Sequence, residues 1–536
     1  MPPIDKLKKL RTVITENLRV QQSGAKAIPY IDVTNALDDA QARQNHVIFG
    51  RRGCGKTLLL QNAAFEDDNR KTIYLNCEDF KNHSFPNVLI EFLDAVFAEM
   101  ERHLTGWFGR KKRSRDLIKG IRNSLAKLRR ADDERTEKIV EKASGGALNK
   151  VKAGFSNEMS QQISGTIGRK EASFEATGSE KQGTKFSLSG EFSRERAQAI
   201  ERAYERSDSK IRNLNILLPH LKGQLRDFFA ASSNIKALFI QIDDFYHLQR
   251  DQQPFIMDYI HRLCKDLPLY FKVATLRHAS VLYAERAGQP IGAQERHDYQ
   301  PINVDFTFQD FKKTEKQVAD IFHEFAKLAQ ITAGDFDQLF KGDGFRRLIL
   351  AGGGVPRDCL SLFLEALQPV MSGSSKIGKD DVRLLSFSNF ERKIEDLKRD
   401  SKTEEQGVLL KGIYVIRQFC LVSKTSVFFV PDRLLQELEP ARGLIFRLLD
   451  YRIIHSVGTA FTHKSHSGSY QGFMIDIGCY AHLRKLEGKM NEIDLTHKEA
   501  KEQMRSVPIL SSDLLVKLWD SAPSEVTKEA LISEVE

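Results

Sequence analysis

The order of apolar and polar positions predicts alternating strands and helices along the first half of the chain. Four short runs rich in apolar residues are typical of buried strands, at His46–Phe49, Lys71–Cys77, Ala237–Asp244 and Tyr270–Thr275. Four further segments carry apolar residues at helical spacing, at Leu7–Val20, Val88–Met100, Ile211–Ala230 and Phe255–Leu267. Strands that alternate with helices favour a parallel sheet. The pattern therefore predicts an α/β fold for this region.

The pattern changes after about residue 308. Helical spacing dominates Phe308–Pro369, except at Ala351–Arg357, where three glycines and a proline end one helix and begin the next. Beyond a Ser/Gly/Lys-rich linker near Met371–Lys379, the chain shows three helical segments, one strand-like segment and two apolar runs that flank a polar loop. These are Val408–Val422, Ser426–Val430, Asp432–Leu438, Leu444–Leu449, Arg452–Val457 and Gly472–Ile477. Three helices followed by a β-hairpin describe a winged helix.

One stretch has a specific chemical signature. Residues Gly50–Thr57 read GRRGCGKT, which fits the phosphate-binding loop Gly-x-x-x-x-Gly-Lys-Ser/Thr between a predicted strand and a predicted helix. Such glycines let the backbone turn tightly and aim N–H groups at phosphate oxygens at a helix N-terminus. Lys56 is expected to reach the β- and γ-phosphates of ATP, and the Thr57 hydroxyl to ligate Mg²⁺. The predicted nucleotide contacts are Gly50, Gly53, Cys54, Gly55, Lys56, Thr57 and Leu58.

A second acidic motif follows the strand at 237–244. Ligands of open parallel sheets sit at the carboxyl ends of the strands, so Asp243 is expected to face the Mg²⁺ that Thr57 holds. Asp244 is then placed to orient or polarise the attacking water. A polar turn after a strand is the plainer interpretation of Asp-Asp alone, and the upstream phosphate loop favours the functional one.

Two further residues are candidates for contacts with the nucleotide. Thr275 ends a predicted strand, although a lone Thr there is more often structural. Arg357 lies near the start of the helix after the glycines, where the helix dipole disfavours a cation. That placement favours a functional arginine over a surface one.

Composition limits the class of protein. Hydrophobic residues make up 41% of the 536 positions, and the formal net charge is +9, which suggests an acidic partner. The six cysteines are scattered, which disfavours a disulfide framework or a zinc ribbon. His463 and His466 have no third ligand nearby in the sequence, which disfavours a metal site. We find no secretory signal and no long apolar span, so we expect a cytoplasmic protein without a membrane-spanning segment.

These features divide the chain into five parts. We predict an N-terminal helix at 1–28, a phosphate-loop ATPase domain at 29–308, a helical lid at 309–400, a winged helix at 401–490 and a tail at 491–536. The ATPase domain contains a basic insertion at about 107–206, interpreted as helices plus a β-hairpin or as partly disordered. A nucleic-acid or protomer contact and a solvated charged decoration are about equally good interpretations of it.

Taken together, the order of parts resembles AAA+ ATPases of the origin-recognition-complex initiator type. The resemblance rests on Gly50–Thr57, on Ile242-Asp243-Asp244 and on Gly354-Val355-Pro356-Arg357. It implies that Thr275 and Arg357 are the two nucleotide-sensing residues of that family, sensor 1 and sensor 2. It also implies an arginine finger supplied by a neighbouring protomer, for which Arg286 and Arg296 are both candidates.

Two departures from that family change the expected function. Asp244 stands where such ATPases usually carry Glu, and its carboxylate is one methylene shorter, so hydrolysis should be slow. The long insertion is the other departure. Asp-Asp also occurs in STAND-class signalling ATPases, which look similar and include anti-phage defence proteins.

We therefore expect an ATPase that couples ATP and Mg²⁺ binding to assembly on double-stranded DNA. The insertion and Lys464 of the wing would contact DNA phosphates, with a homo-oligomer or a partner protein completing the assembly. The alternative is a STAND-like signalling or defence switch that acts through a partner protein. A third, plainer interpretation is a nucleotide-binding scaffold that barely hydrolyses ATP.

Overall fold

A five-stranded parallel sheet forms the centre of the N-terminal half. The structure is a computed structural model. It describes residues 1–18, 29–102, 110–130, 208–483 and 490–532, apart from 33, 66, 68, 84, 233–234, 287, 374–375, 402, 496 and 498. The strands of the sheet are β1 (His46–Phe49), β2 (Arg70–Asn76), β3 (Ala237–Asp243), β4 (Leu269–Thr275) and β7 (Gln300–Asn303). Their order is β2-β3-β4-β1-β7, with every neighbouring pair parallel. All residues of β1 and β3 are buried, as expected for parallel strands covered on both faces. The predicted α/β class is confirmed.

Helices pack around this sheet. They are α2 (Ala36–Gln41), α3 (Lys56–Asn62), α4 (Asn87–Arg102), α5 (Arg110–Arg130), α6 (Asp208–Ala231) and α7 (Gln253–Cys264). The buried face of α4, including Leu93 and Phe97, shares one core with Ile121 of α5 and Leu221 of α6. The start of the basic insertion is thus an ordered helix, whereas its predicted hairpin lies outside the described residues.

A short antiparallel hairpin, β5 (Tyr283–Arg286) and β6 (Gln289–Gly292), follows β4. The sequence pattern predicted neither this hairpin nor the edge strand β7. Each of these strands has four residues, too few to show a period. Gln300 and Pro301 also interrupt any apolar run in β7.

A helical region follows the sheet. Its helices are α8 (Phe311–Leu328), α9 (Ala333–Asp337), α10 (Gly344–Ala351), α11 (Pro356–Met371) and α12 (Lys379–Asp400). Phe322 and Phe336 stack with their ring centroids 5.4 Å apart, and Phe363 packs edge-on to Phe322 at 5.1 Å. The N-terminal helix α1 (Ile4–Asn17) buries Leu7, Leu10 and Ile14 in this same core, so it belongs to the helical region in space.

The C-terminal module comprises residues 403–532. Its elements are α13 (Thr403–Val422), β8 (Val427–Pro431), α14 (Asp432–Glu437), α15 (Glu439–Asp450), β9 (Ile454–Phe461), β10 (Tyr470–Ile475), α16 (Ala500–Met504), α17 (Ser512–Ser521) and α18 (Lys528–Ile532). The strands form an antiparallel sheet in the order β8-β10-β9. The order of elements is the one that led us to predict a winged helix, which stays a prediction. No helix within the described ranges is long and apolar enough to cross a membrane.

Candidate nucleotide-binding site

The glycine-rich loop connects β1 to α3 at the carboxyl edge of the sheet. Gly53 and Gly55 have φ angles of +90° and +91°, a conformation that disfavours any residue with a Cβ. A Cβ at Gly53 would also lie 2.9 Å from Cβ of Arg357. Helix α3 begins directly at Lys56, so its first N–H groups point into the loop. This geometry is suited to an anion.

Lys56 is buried and its ammonium group folds back onto the loop. Its Nζ donates to the carbonyl oxygens of Gly50 at 2.9 Å and of Arg51 at 3.3 Å. Within the described residues, no ion pair compensates its charge. A buried cation whose hydrogen bonds go to neutral carbonyls is a suitable partner for a phosphate group.

Two other predicted contacts lie on the inner side of the same loop. Cys54 is buried, and its thiol donates to Asp305 Oδ1 at 3.3 Å. The pKa of the Cys54 thiol is raised by burial and by the nearby Asp305 carboxylate. Leu58 is half-buried in the first turn of α3. Their side chains therefore pack the loop, and any contact with a nucleotide would come from their backbone N–H groups.

Asp243 and Thr57 meet at the end of β3. The Thr57 side chain is hydrogen-bonded to the Asp243 carboxylate, and the Tyr74 hydroxyl donates to Asp243 Oδ2 at 2.7 Å. Burial and the neighbouring Asp244 raise the pKa of Asp243, against the lowering effect of the two hydrogen bonds. A hydroxyl beside a carboxylate is the oxygen donor set that Mg²⁺ prefers.

Asp244 follows with a left-handed backbone, φ +50°. Its N–H donates to Asp243 Oδ1 at 2.9 Å. Burial raises the pKa of Asp244, and the nearby cations Lys56 and Arg52 oppose that shift. The second carboxylate is therefore held near the charged end of the loop.

Thr275 ends β4, where it pairs in register with Phe49, the last residue of β1. Its hydroxyl is buried and hydrogen-bonded to Ser280 Oγ. The structure thus places Thr275 at the same edge of the sheet as the phosphate loop. Its hydroxyl, however, has a partner in its own loop.

Arg357 lies over the phosphate loop. Its N–H contacts the Gly53 carbonyl oxygen at 3.4 Å, and its guanidinium group is 3.8 Å from Asp396. Burial and the like charge of Arg452 lower the pKa of Arg357. Among the described contacts, Asp396 is the ion-pair partner of Arg357, and Asp396 also pairs with Arg452 at 2.7 Å. The charge of this half-buried arginine is therefore only partly compensated by Asp396.

The glycines before Arg357 have a packing role that the sequence did not reveal. Gly353 has a φ of +63°, and a Cβ there would lie 2.2 Å from Cε1 of His455 in the C-terminal module. The break at Ala351–Arg357 therefore ends a helix and also makes room for an imidazole ring from another part of the chain.

Other charged residues of the site were missed because their partners are distant in sequence. Arg51 forms a two-pronged ion pair with Asp305, with its Nε and Nη2 atoms 2.7 and 2.8 Å from the carboxylate oxygens. Arg52 pairs with Asp400 at the end of α12. Both arginines occupy variable positions of the loop motif. The sequence therefore indicated a basic loop, but it did not indicate the acidic residues that pair with it.

The two arginine-finger candidates lie in and just after the hairpin that follows β4. Arg286 ends β5, and its side chain is outside the described residues. Arg296 is exposed in a turn with a φ of +67°. A contact with a neighbouring protomer stays a prediction for either residue.

Some basic residues of the insertion form ion pairs with acidic residues of α4. Arg122 of α5 pairs with Asp94 and Glu101 of α4 at 2.8 and 3.0 Å, and Arg129 pairs with Glu91 at 2.7 Å. Four exposed basic side chains of α5 have no ion pair with described residues: Lys112, Arg113, Lys119 and Lys127.

The basic residue of the predicted wing also has a partner. Lys464 Nζ lies 3.2 Å from Glu502 of the short helix α16, and both side chains are about half exposed. An exposed ion pair of this kind is weak. The charge of Lys464 is therefore partly neutralised, while its side chain stays about half exposed.

Comparison with models of protein families finds no match, and comparison with curated proteins finds none either. Eighteen chains of solved structures match, among them one from a structure of Drosophila ORC bound to DNA. That match has 12% sequence identity and a TM-score of 0.30, and it covers 89% of this chain and 91% of that chain. Similarity this low carries no functional argument.

Proposed function

We propose that this protein binds ATP at the Gly50–Thr57 loop and hydrolyses it slowly. The observation that carries the proposal is the convergence of two cations, the buried Lys56 and the half-buried Arg357, on one glycine-rich loop at a helix N-terminus. A triphosphate would supply the negative charge that both cations lack, and its binding would offset their desolvation.

The donor set at the end of β3 fits a magnesium ion that arrives with the nucleotide. Thr57 and Asp243 would hold it, and it would neutralise charge on the phosphates. Lys56 and Arg357 would position the phosphate chain. Asp244, held close to Lys56 and Arg52 by its left-handed backbone, would orient the attacking water with a shorter reach than Glu has.

Nucleotide binding by matched arginine variants tests this proposal. Arg399 pairs with the same Asp396, at 2.8 Å, but is mostly exposed. We expect Lys56→Ala and Arg357→Ala each to weaken ATP binding by about tenfold or more, because each removes a charge-assisted phosphate contact. Arg399→Ala should bind ATP as the wild type does. Equal affinity in Arg357→Ala and Arg399→Ala would contradict the placement of the phosphates under Arg357.

We further propose that ATP binding supports assembly on double-stranded DNA, with neighbouring copies or a partner protein completing the assembly. The support is the row of exposed cations on α5, since Lys112, Lys119 and Lys127 are spaced by seven and eight residues and therefore share one helix face. A winged helix in the C-terminal module would provide a second contact.

A signalling or defence switch is the second candidate. The observation that favours it is the contact between the C-terminal module and the phosphate loop, through His455 and Arg51 at 3.0 Å. A module that touches the nucleotide site is placed to respond to the nucleotide. Oligomerisation that requires ATP and a protein ligand, and that ignores DNA, would favour this candidate over the first.

A further inference from the structure

The C-terminal module contacts two separate loops of the nucleotide site. The first contact joins β9 to the phosphate loop: Nδ1 of His455 lies 3.0 Å from Nη1 of Arg51, and both side chains are buried. The other ring nitrogen, Nε2, lies 3.0 Å from Asp476 Oδ2. Because arginine can only donate, Nδ1 accepts from Arg51 and Nε2 donates to Asp476. His455 is thus a neutral link between the loop and the sheet of the module.

Arg51 connects His455 rigidly to the phosphate loop. Its guanidinium group is fixed by Asp305, and its own N–H donates to Asp305 Oδ2 at 3.1 Å. A shift of His455 would therefore act on the backbone at Arg51, next to the carbonyl that Lys56 contacts.

The second contact joins α15 to the loop that follows β4. Asp450 is buried, and its Oδ2 atom accepts the N–H groups of His278 at 2.8 Å and of Ala279 at 2.7 Å. The His278 ring stacks on Phe446 of the same helix, with the ring centroids 4.6 Å apart. This loop runs from Thr275 to Ser280, and the hydroxyl groups of these two residues are hydrogen-bonded to each other. Asp450 thus fixes the conformation of the loop that carries a predicted nucleotide sensor.

We propose that Asp450 and His455 are positioning residues of the ATP site, which hold the β4 loop and the phosphate loop in the arrangement that binds nucleotide. The proposal rests on the proposed function, since it concerns the same site. Coupling between two sites is reciprocal. If the docked module favours nucleotide, bound nucleotide favours the docked module.

Paired variants of the full-length chain separate positioning from mere packing. Asp450→Ala removes the acceptor of two buried N–H groups, whereas Asp450→Asn keeps one oxygen that accepts both. His455→Ala removes the link to Arg51, whereas His455→Gln keeps an acceptor and a donor. Ser456→Ala is the matched control on β9, because Ser456 contacts Gln309 at 2.8 Å and touches neither loop.

The two measurements are the affinity for a fluorescent ATP analogue and amide hydrogen exchange without nucleotide. We expect Asp450→Ala and His455→Ala to bind the analogue about tenfold more weakly, as buried donors lose their partner, and Asp450→Ala to speed exchange at His278 and Ala279. Asp450→Asn, His455→Gln and Ser456→Ala should stay within about twofold of the wild type. Unchanged affinity in both alanine variants would overturn the proposal even if Asp450→Ala speeds exchange, because the two residues would then contribute to packing alone.

A third measurement needs no variant and covers the case in which the alanine variants do not fold. In the wild type, a non-hydrolysable ATP analogue should slow amide exchange in 446–456 of the module as well as in the phosphate loop. Protection confined to the phosphate loop would overturn the coupling while leaving ATP binding intact. A wild type that binds no ATP analogue would instead refute the proposed function itself.

Discussion

Gly353 of the helical region lies against His455 of the C-terminal module, and His455 in turn contacts Arg51 of the phosphate loop. The φ of +63° at Gly353 and the 2.2 Å approach of His455 to a Cβ placed there make it intolerant of a side chain. Gly342 has a similar φ of +53° and no atom within 4 Å of such a Cβ. A side chain at Gly342 would therefore meet the same unfavourable backbone conformation but no steric clash.

We expect Gly353→Ala to weaken ATP binding, because the methyl group must displace His455 from Arg51. Gly342→Ala should cost stability alone, by about 1 kcal/mol from the left-handed backbone. Titration with an ATP analogue and thermal unfolding of both variants measure the two effects. Equal ATP affinity in the two variants would show that the position of His455 is irrelevant to the site.

Asp450 should make the stability of the folded chain depend on pH. Burial raises its pKa from 3.8 to about 7 in the folded chain. Between these values the folded state holds a proton that the unfolded state has lost, so wild-type stability falls as the pH rises and levels off above about 7. Asn at this position has no such proton to lose.

Asp450→Asn should therefore gain stability over the wild type as the pH is raised. From about pH 5 to about pH 7.5 the gap should widen by about 2 kcal/mol, since one pKa unit corresponds to about 1.4 kcal/mol. The midpoints of urea unfolding at the two pH values give this difference. A gap that does not change with pH would mean that Asp450 is ionised in the folded state.

At this scale, the sequence predicted the residues whose signal is local. The loop motif identified Lys56 and Thr57, and the strand ending in Asp-Asp placed Asp243 beside Thr57, where the structure shows a hydrogen bond. Asp305, Asp400 and His455 could not be predicted, because each meets the loop only through the tertiary fold, across more than 250 residues. The roles of all these residues in catalysis stay predictions.

Among the elements, α5 is where the DNA proposal can be tested most directly. Lys119 and Lys127 lie on the exposed face, and Lys312 and Lys316 are exposed on the distant helix α8. The double variant Lys119→Ala/Lys127→Ala should weaken binding to double-stranded DNA and reduce the slope of log affinity against log salt by about 1 to 2, as two phosphate contacts are lost.

The double variant Lys312→Ala/Lys316→Ala changes the net charge equally and should leave that slope unchanged. Salt titrations monitored by fluorescence anisotropy compare the two. If both pairs reduce DNA affinity to the same extent, binding follows the overall charge of the chain and α5 is no specific contact.

The elements differ in how well the sequence predicted them. Long segments with a clear period, such as α4 and β3, were predicted within two residues of their observed ends. Helix α12, in contrast, spans 22 residues and was not predicted as a separate helix, although it lies in the predicted helical lid at 309–400. Its charged residues serve a purpose that no period reveals, because Asp396 and Asp400 face the arginines around the phosphate loop.

For the whole molecule, the contacts of the C-terminal module make the nucleotide site a composite of three regions. The sheet supplies the loop and Asp243, the helical region supplies Arg357, and the module supplies His455 and Asp450. If the site binds ATP as we propose, a site built this way would tie ATP binding to the relative arrangement of these three regions. The slow turnover that we propose would prolong the ATP-bound state, which would give a partner time to bind it.

The most direct test of the central claim is ATP turnover by the purified chain, with and without double-stranded DNA, beside Lys56→Ala and Asp243→Ala. The account predicts slow turnover that DNA stimulates and that both substitutions abolish, because they remove the phosphate contact and the magnesium ligand. Turnover that survives Lys56→Ala, or a wild type that neither binds nor hydrolyses ATP, would contradict it. Tight ATP binding with negligible turnover and no response to DNA would leave the site intact and identify the protein as a switch that answers to a protein partner.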